Sequence, residues 1–185
     1  IARFEVCNHK WTDISEGRFG VALLNDCKYG ISAHNSELRL SLEQGGAHPD
    51  ITAGAGRHEF TYSLLPHDGP MDVNNVTKPA YMLNVKPVTV PGALKEPMTP
   101  FVGISSDHVI CEAVKCAELV PDAAVLRFYE AERSAAFCQI TVPAGYKRAF
   151  AVNMIEDIEK ELPVANGKIT LHFSPFSIHT VMFTK

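Results

Sequence analysis

Glu37-Leu38-Arg39-Leu40-Ser41-Leu42 is the stretch that decides the fold class of this chain. Its leucines alternate with polar residues, so one set of side chains meets a core and the other meets water. A period of two belongs to a half-buried strand. Glu59-Phe60-Thr61-Tyr62-Ser63-Leu64 repeats the pattern with aromatic residues, which suit a pleated surface. Working outward, residues 20–25, 123–130, 136–142, 168–173 and 177–183 read the same way. Asn35-Ser36, Gly45-Gly46, Asp68-Gly69-Pro70, Pro121-Asp122, Pro143-Ala144-Gly145 and Asn166-Gly167 punctuate them as turns. Short strands at this spacing predict an all-β protein of β-sandwich architecture rather than βαβ units.

Helix is scarce. Residues 109–119 (Val-Ile-Cys-Glu-Ala-Val-Lys-Cys-Ala-Glu-Leu) fit either helix or strand, since their helix propensity is fair and Asp107 could cap them. Residues 72–81 suggest a turn of helix cut by Pro79, and the acidic residues 155–162 a loop or single turn. Between about Asn84 and Phe101, Lys86-Pro87, Pro91-Gly92, Lys95-Glu96-Pro97 and Thr99-Pro100 form a Pro-rich connector. Two β units are therefore expected, over residues 1–84 and 85–185.

Composition narrows the function classes. The 185 residues are 46% hydrophobic and 21% charged, as in ordinary globular proteins, and carry a net charge of −4. No Lys/Arg cluster stands ready to neutralise phosphates, which argues against nucleic acid. Runs such as Val21-Ala22-Leu23-Leu24 are far shorter than a bilayer span. The first residues lack the basic start and apolar stretch of a signal peptide, and the opening at Ile1 reads as the cut end of something longer. Cys7, Cys27, Cys111, Cys116 and Cys138 form no C-x-x-C pair and read as free thiols, mostly buried, in a reducing, cytoplasmic compartment. The sequon Asn75-Val76-Thr77 points the other way, but so short a pattern carries no weight.

Sites of chemistry are hard to find. Glycoside hydrolysis needs two carboxyl groups across a sugar-sized gap. The densest acidic cluster, Glu156-Asp157-Glu159-Glu161, reads as a solvated surface of mutually repelling charges. The eight histidines include no H-E-x-x-H or H-x-H, and Gly54-Ala55-Gly56 precedes no helix pattern that would make it a phosphate cradle. One segment stands out. In Gly20-Val21-Ala22-Leu23-Leu24-Asn25-Asp26-Cys27-Lys28-Tyr29-Gly30 a buried strand ends in a polar turn leading to the next strand. That turn is either a plain β-turn or a loop whose carboxylate, ammonium and phenol face a partner surface or a sugar.

At this segment the sequence resembles the bacterial and cytosolic α-mannosidases of glycoside hydrolase family 38. Phe4-Glu5-Val6, His9-Lys10-Trp11-Thr12-Asp13-Ile14-Ser15-Glu16 and residues 20–30 are similar to a signature block of that family. Leu38-Arg39-Leu40-Ser41-Leu42, Pro49-Asp50, His58-Glu59-Phe60-Thr61-Tyr62 and Pro66-His67-Asp68-Gly69 continue it in order. Glu112-Ala113-Val114-Lys115-Cys116-Ala117-Glu118, Leu126-Arg127-Phe128-Tyr129-Glu130 and Pro175-Phe176-Ser177-Ile178 resemble the family's terminal β-sandwich. The resemblance covers most of residues 4–183.

The resemblance implies a large, retaining exo-mannosidase. Its nucleophilic Asp and its zinc-type divalent metal, held by Asp and His residues, would sit in an N-terminal α/β domain outside this chain. Residues 1–84 would then be the end of a mutarotase-like β-supersandwich, residues 85–185 the terminal β-sandwich, and residues 109–119 a strand. No catalytic residue, metal ligand or cofactor is expected here. The expected partner is the N-terminal catalytic domain of the same polypeptide, with contact to an α-mannoside and self-association left open. A first unit cut from a larger sheet system should expose edges and apolar faces.

Residues 43–57 depart from the family, being rich in Gly and Ala where relatives usually carry an Arg and further acidic residues. Asp26, Lys28, Tyr29, Arg57 and His58 are the candidates for facing the catalytic domain or its substrate. The rival expectation is a stand-alone carbohydrate-binding module, for which the chain offers a single tryptophan, Trp11.

Overall fold

The computed structural model describes residues 4–93 and 98–185. Part of the Pro-rich connector, Lys95-Glu96-Pro97, lies outside the described residues, as does Ile1. The chain divides into two compact units, Ile1–Val90 and Pro91–Lys185. Among the described residues it is strand-rich and its strands pair antiparallel.

In the first unit, β1 (Val6–Cys7), β4 (Gly30–His34) and β5 (Glu37–Ser41) form one sheet in the order β1-β4-β5. A second sheet is built from β2 (Trp11–Glu16), β3 (Phe19–Asn25) and β6 (Tyr62–Asp68) in the order β2-β3-β6. Strand β6 starts later than the alternation from Glu59 suggests and runs on through Pro66. The proline is tolerated because β6 lies at the sheet border.

One face of the second sheet is covered by a π-helical turn, Val73–Thr77, followed by helix α1, Lys78–Asn84. Ala22 and Leu24 from β3 pack there with Val76 and Ala80, flanked by Trp11, Leu65, Met71 and Leu83. Asp72 caps the turn by accepting the backbone N–H groups of Asn74 and Asn75. Asn75 returns a bond from the Asp72 N–H to its own Oδ1. Pro79 does not cut this helix. It occupies the first turn of α1, where a missing N–H breaks no intrahelical bond. The sheet's opposite face is covered in part, with Leu23 and Asn25 buried there, and toward Phe19 it leaves a groove of about 500 Å³ lined by Ile14, Phe19, Val21, Leu38 and Leu64, with Leu64 66% exposed.

In the second unit, a five-stranded sheet has the order β11-β10-β13-β8-β7, and β12 pairs with β9 in a two-stranded sheet. The strands are β7 (Val109–Cys116), β8 (Ala124–Glu130), β9 (Ala136–Thr141), β10 (Arg148–Val152), β11 (Ile158–Leu162), β12 (Lys168–Phe173) and β13 (Ile178–Thr184). The ambiguous segment from Val109 is thus a strand. The segment 155–162, expected as loop or turn, holds β11 instead.

Between these sheets lies the main core, with Leu126, Phe128, Cys138, Ile140, Ile169, Phe173 and Phe183 fully or almost fully buried. Val125, Phe150, Val152 and Met182 form a second cluster. Asn166 and Gly167 both have positive φ, at 52° and 71°, which is the hairpin geometry that an Asn-Gly pair favours.

Two further expectations need correction. Only Cys138 is buried, while Cys7 and Cys116, at strand ends, and Cys27, in the turn between β3 and β4, are exposed and Cys111 is half-buried. All five thiols are free. The acidic cluster is not uniformly solvated either. Glu156 is 6% exposed at its side chain, paired with Lys115 at 2.7 Å and accepting the Glu118 N–H. Glu161 pairs with Arg148 through two bonds.

Candidate functional site

The turn after β3 and the glycine-rich segment 43–57 bring two of the five candidate residues together. Lys28 Nζ lies 3.8 Å from Glu43 Oε2, and His58 Nδ1 lies 3.4 Å from the same oxygen. His58 Nε2 is 3.0 Å from the Gly54 carbonyl oxygen. Lys28 also sits over the Phe60 ring at 5.0 Å. Glycine at position 54 lets two stretches of the loop lie close, since a Cβ there would stand 2.9 Å from Glu43 Oε1 and 3.1 Å from Gly45 Cα. The result is a cation–carboxylate–imidazole array beside a shallow depression of about 390 Å³ lined by Glu43, Gly45, Gly46, Ala47, Ile51, Gly54 and Ala55.

The other candidates are spent differently. Asp26 accepts the backbone N–H of Thr61 at 2.9 Å, and that bond holds its carboxyl below the ordinary Asp range. It thereby ties the turn after β3 to the start of β6. Tyr29 is 46% exposed, and its ring lies tilted against that of His9 with the centroids 4.7 Å apart. Arg57 pairs with Glu59 and is otherwise in solvent. Sequence reasoning overlooked Glu43, the residue that joins Lys28 to His58. Its position at the head of the departing loop was the only available signal.

Two further polar constellations are buried. His67 Nε2 is 2.9 Å from Asp13 Oδ1, with both side chains nearly inaccessible, and the Asp13 bond raises the His67 pKa. Glu130 is fully buried at the end of β8. Burial opposes its ionisation, but N–H groups of Phe176, Glu132, Ser134 and Arg133 outweigh that cost and hold its carboxyl below the ordinary Glu range. Nearby, His108 bonds Ser134 Oγ at 2.7 Å and Glu132 at 3.1 Å.

None of these sets suits a divalent metal. Glu43 and His58 are joined by a lysine ammonium, which repels a cation, and the Asp13–His67 pair supplies two donors that already satisfy each other. Among the described residues no group of three or more His, Cys, Asp or Glu side chains could hold a metal ion. Among them too, no helix is long and apolar enough to cross a membrane.

Each β unit matches a model of the C-terminal region of one glycosidase family. Residues 1–52 match the "Glycosyl hydrolases family 38 C-terminal domain", and residues 108–181 match the "Glycosyl hydrolases family 38 C-terminal beta sandwich domain". The chain belongs to glycosyl hydrolase family 38. It is 41% identical to human Alpha-mannosidase 2C1 and 35% identical to Alpha-mannosidase G of Dictyostelium discoideum, over 98% of its own length in each case. Identity to the Alpha-mannosidase of Saccharomyces cerevisiae is 32% over 96% of the chain. It spans only 18% of the length of the human relative. The fold is that of an α-mannosidase from Enterococcus faecalis V583, with a TM-score of 0.76 and 15% identity, covering 98% of this chain and 21% of that one.

Proposed function

We propose that this chain is the non-catalytic C-terminal part of an α-mannosidase that removes terminal α-mannosides with retention, and that it packs on and shapes the catalytic domain of the same polypeptide. Residues 1–84 would close a larger mutarotase-like supersandwich, and residues 85–185 would form the terminal sandwich. The nucleophile and the divalent metal would be supplied by the catalytic domain, in a cytoplasmic enzyme. The observation carrying this reading is likeness that runs unbroken along 98% of the chain yet takes in only 18% of the relative's length. The open apolar groove of the first unit supports it, because such a surface suits burial against further protein.

On this reading Lys28, Glu43 and His58 face the catalytic domain. Their array presents hydrogen-bonding groups on a loop held by Asp26 and Gly54. The test is complementation. The catalytic portion is expressed without this chain, and hydrolysis of a nitrophenyl α-mannoside is followed with and without the chain added in trans. Activity should appear or rise with the chain present, and the chain alone should be inert. Turnover by the chain alone at enzyme-like rates would overturn the proposal.

A further inference from the structure

The outward face of the two-stranded sheet in the second unit carries an arrangement that packing does not require. Strands β9 and β12 alternate strictly. Ala136, Cys138, Ile140, Ile169, Leu171 and Phe173 point into the core, which fixes the backbone of both strands. The other set points outward and follows the register Phe137↔His172, Gln139↔Thr170, Thr141↔Lys168. Phe137 is 77% exposed, and its ring lies 4.7 Å from that of His172 at an interplanar angle of 51°. The next row along the strands, about 7 Å away, pairs an amide with a hydroxyl. Lys168 Nζ is 3.4 Å from Gln139 Oε1. Beside this row lies a concavity of about 430 Å³ lined by Gln139, Pro163, Ala165, Asn166, Lys168 and Thr170, within the size range of small-molecule sites. Strand β9 is further held along its backbone by Ser105, which bonds Gln139 through both N–H and carbonyl.

We propose that this face is a second sugar-binding site, in which Phe137 and His172 form a stacking platform for one neutral pyranose and Gln139, Thr170 and Lys168 bind the hydroxyls of that ring or of the next. The apolar C–H face of a pyranose suits an exposed aromatic ring, while its rim of hydroxyls needs paired donors and acceptors one ring-width away. The face bears one formal charge, that of Lys168, so a neutral polyhydroxylated ligand fits better than an acidic one. A docked protein would want roughly 800 Å² with several apolar side chains at its centre. Here one large apolar side chain stands among Gln, Thr and Asn. The choice of a sugar rests on the family to which the chain belongs and not on the scaffolding role, so either proposal can fail without the other.

The test is an NMR titration of the 185-residue chain with methyl α-mannoside and with α-mannobiose, reading the His172 ring and Gln139 side-chain amide signals. Both should shift with a dissociation constant on the order of millimolar, as befits a ligand of few atoms on an open face. Phe137→Ala should weaken the response about tenfold, and Phe137→Tyr, which keeps the ring, should stay within threefold. Core methyl signals of Leu126 and Ile140 report folding in the same spectra. Silence of His172 and Gln139 at tens of millimolar sugar would overturn the proposal. So would shifts confined to Lys28, Glu43 and His58, or equal responses from the wild type and Phe137→Ala.

Discussion

His67 reaches Asp13 across the backbone of Gly20. The three residues lie on neighbouring strands β6, β2 and β3, and His67 and Ser15 both pair with Gly20 in the register. A Cβ at position 20 would overlap the His67 ring and stand 2.7 Å from Ser15 Cβ. Glycine is therefore the condition for the 2.9 Å bond between His67 and Asp13. Gly20→Ala should lower the stability of the first unit by about 1–3 kcal/mol through overpacking. Gly17→Ala, with nothing within 4 Å of its Cβ, should stay within about 0.5 kcal/mol. Urea unfolding of both variants decides this.

The same pair predicts a pH dependence. The Asp13 bond raises the His67 pKa in the folded chain above its ordinary value of about 6.5. The folded state then binds the proton more tightly than the unfolded one. The stabilisation is fully present below about pH 6.5 and disappears as pH rises through the folded value. Unfolding midpoints compared at pH 6 and pH 9 should differ more for the wild type than for His67→Gln, and the His67 ring signal should titrate above the normal range.

At Glu130 the sign reverses. Its folded pKa lies below the ordinary Glu value because four backbone N–H groups favour the carboxylate despite burial. The contribution is present above the unfolded pKa and is lost as pH falls through the folded one. Glu130→Gln should cost about 1–3 kcal/mol, since an amide NH₂ would face an N–H where the carboxylate accepted one. Acid unfolding of this variant should be less steep than that of the wild type.

Glu43→Gln should loosen the loop without unfolding the unit. Glu43 is half exposed, so its ion pairs contribute little to global stability, about 0–1 kcal/mol. Amide hydrogen exchange in residues 44–56 should quicken, while that of Ala22 and Leu24 should stay unchanged.

These contrasts explain what the sequence made legible. Alternation revealed β9 and β12, which have one face in a core and one near water, and β5, whose leucines are the more sheltered set, while β8 and β13 were legible as apolar, strand-prone runs buried on both faces. It missed β11, whose Ile158-Glu159-Lys160-Glu161-Leu162 has burial only at its last residue and draws its partners from Arg148 and the neighbouring strand. The turn Asn166-Gly167 was legible because its backbone geometry belongs to those residue types. The pairing of Asp13 with His67, 54 residues apart, left no local trace. Lys28 and His58 could be singled out as polar residues near loops, but their common partner Glu43 emerges only once the chain folds back. Likewise, the alternation of residues 136–142 announced a strand without saying that Phe137 would be left outside.

Strand β11 has one more effect. It forms one border of the five-stranded sheet, where unpaired backbone groups would ordinarily recruit a strand from another molecule. Its exposed positions carry Glu159, Lys160 and Glu161, and its pairing with β10 is broken by an irregularity at Ala151/Val152. The opposite border, β7, has its own at Cys111/Ala113. The sheet thus ends itself on both sides, and newly made chains crowded together in a cell are steered away from stacking into fibres along this ladder.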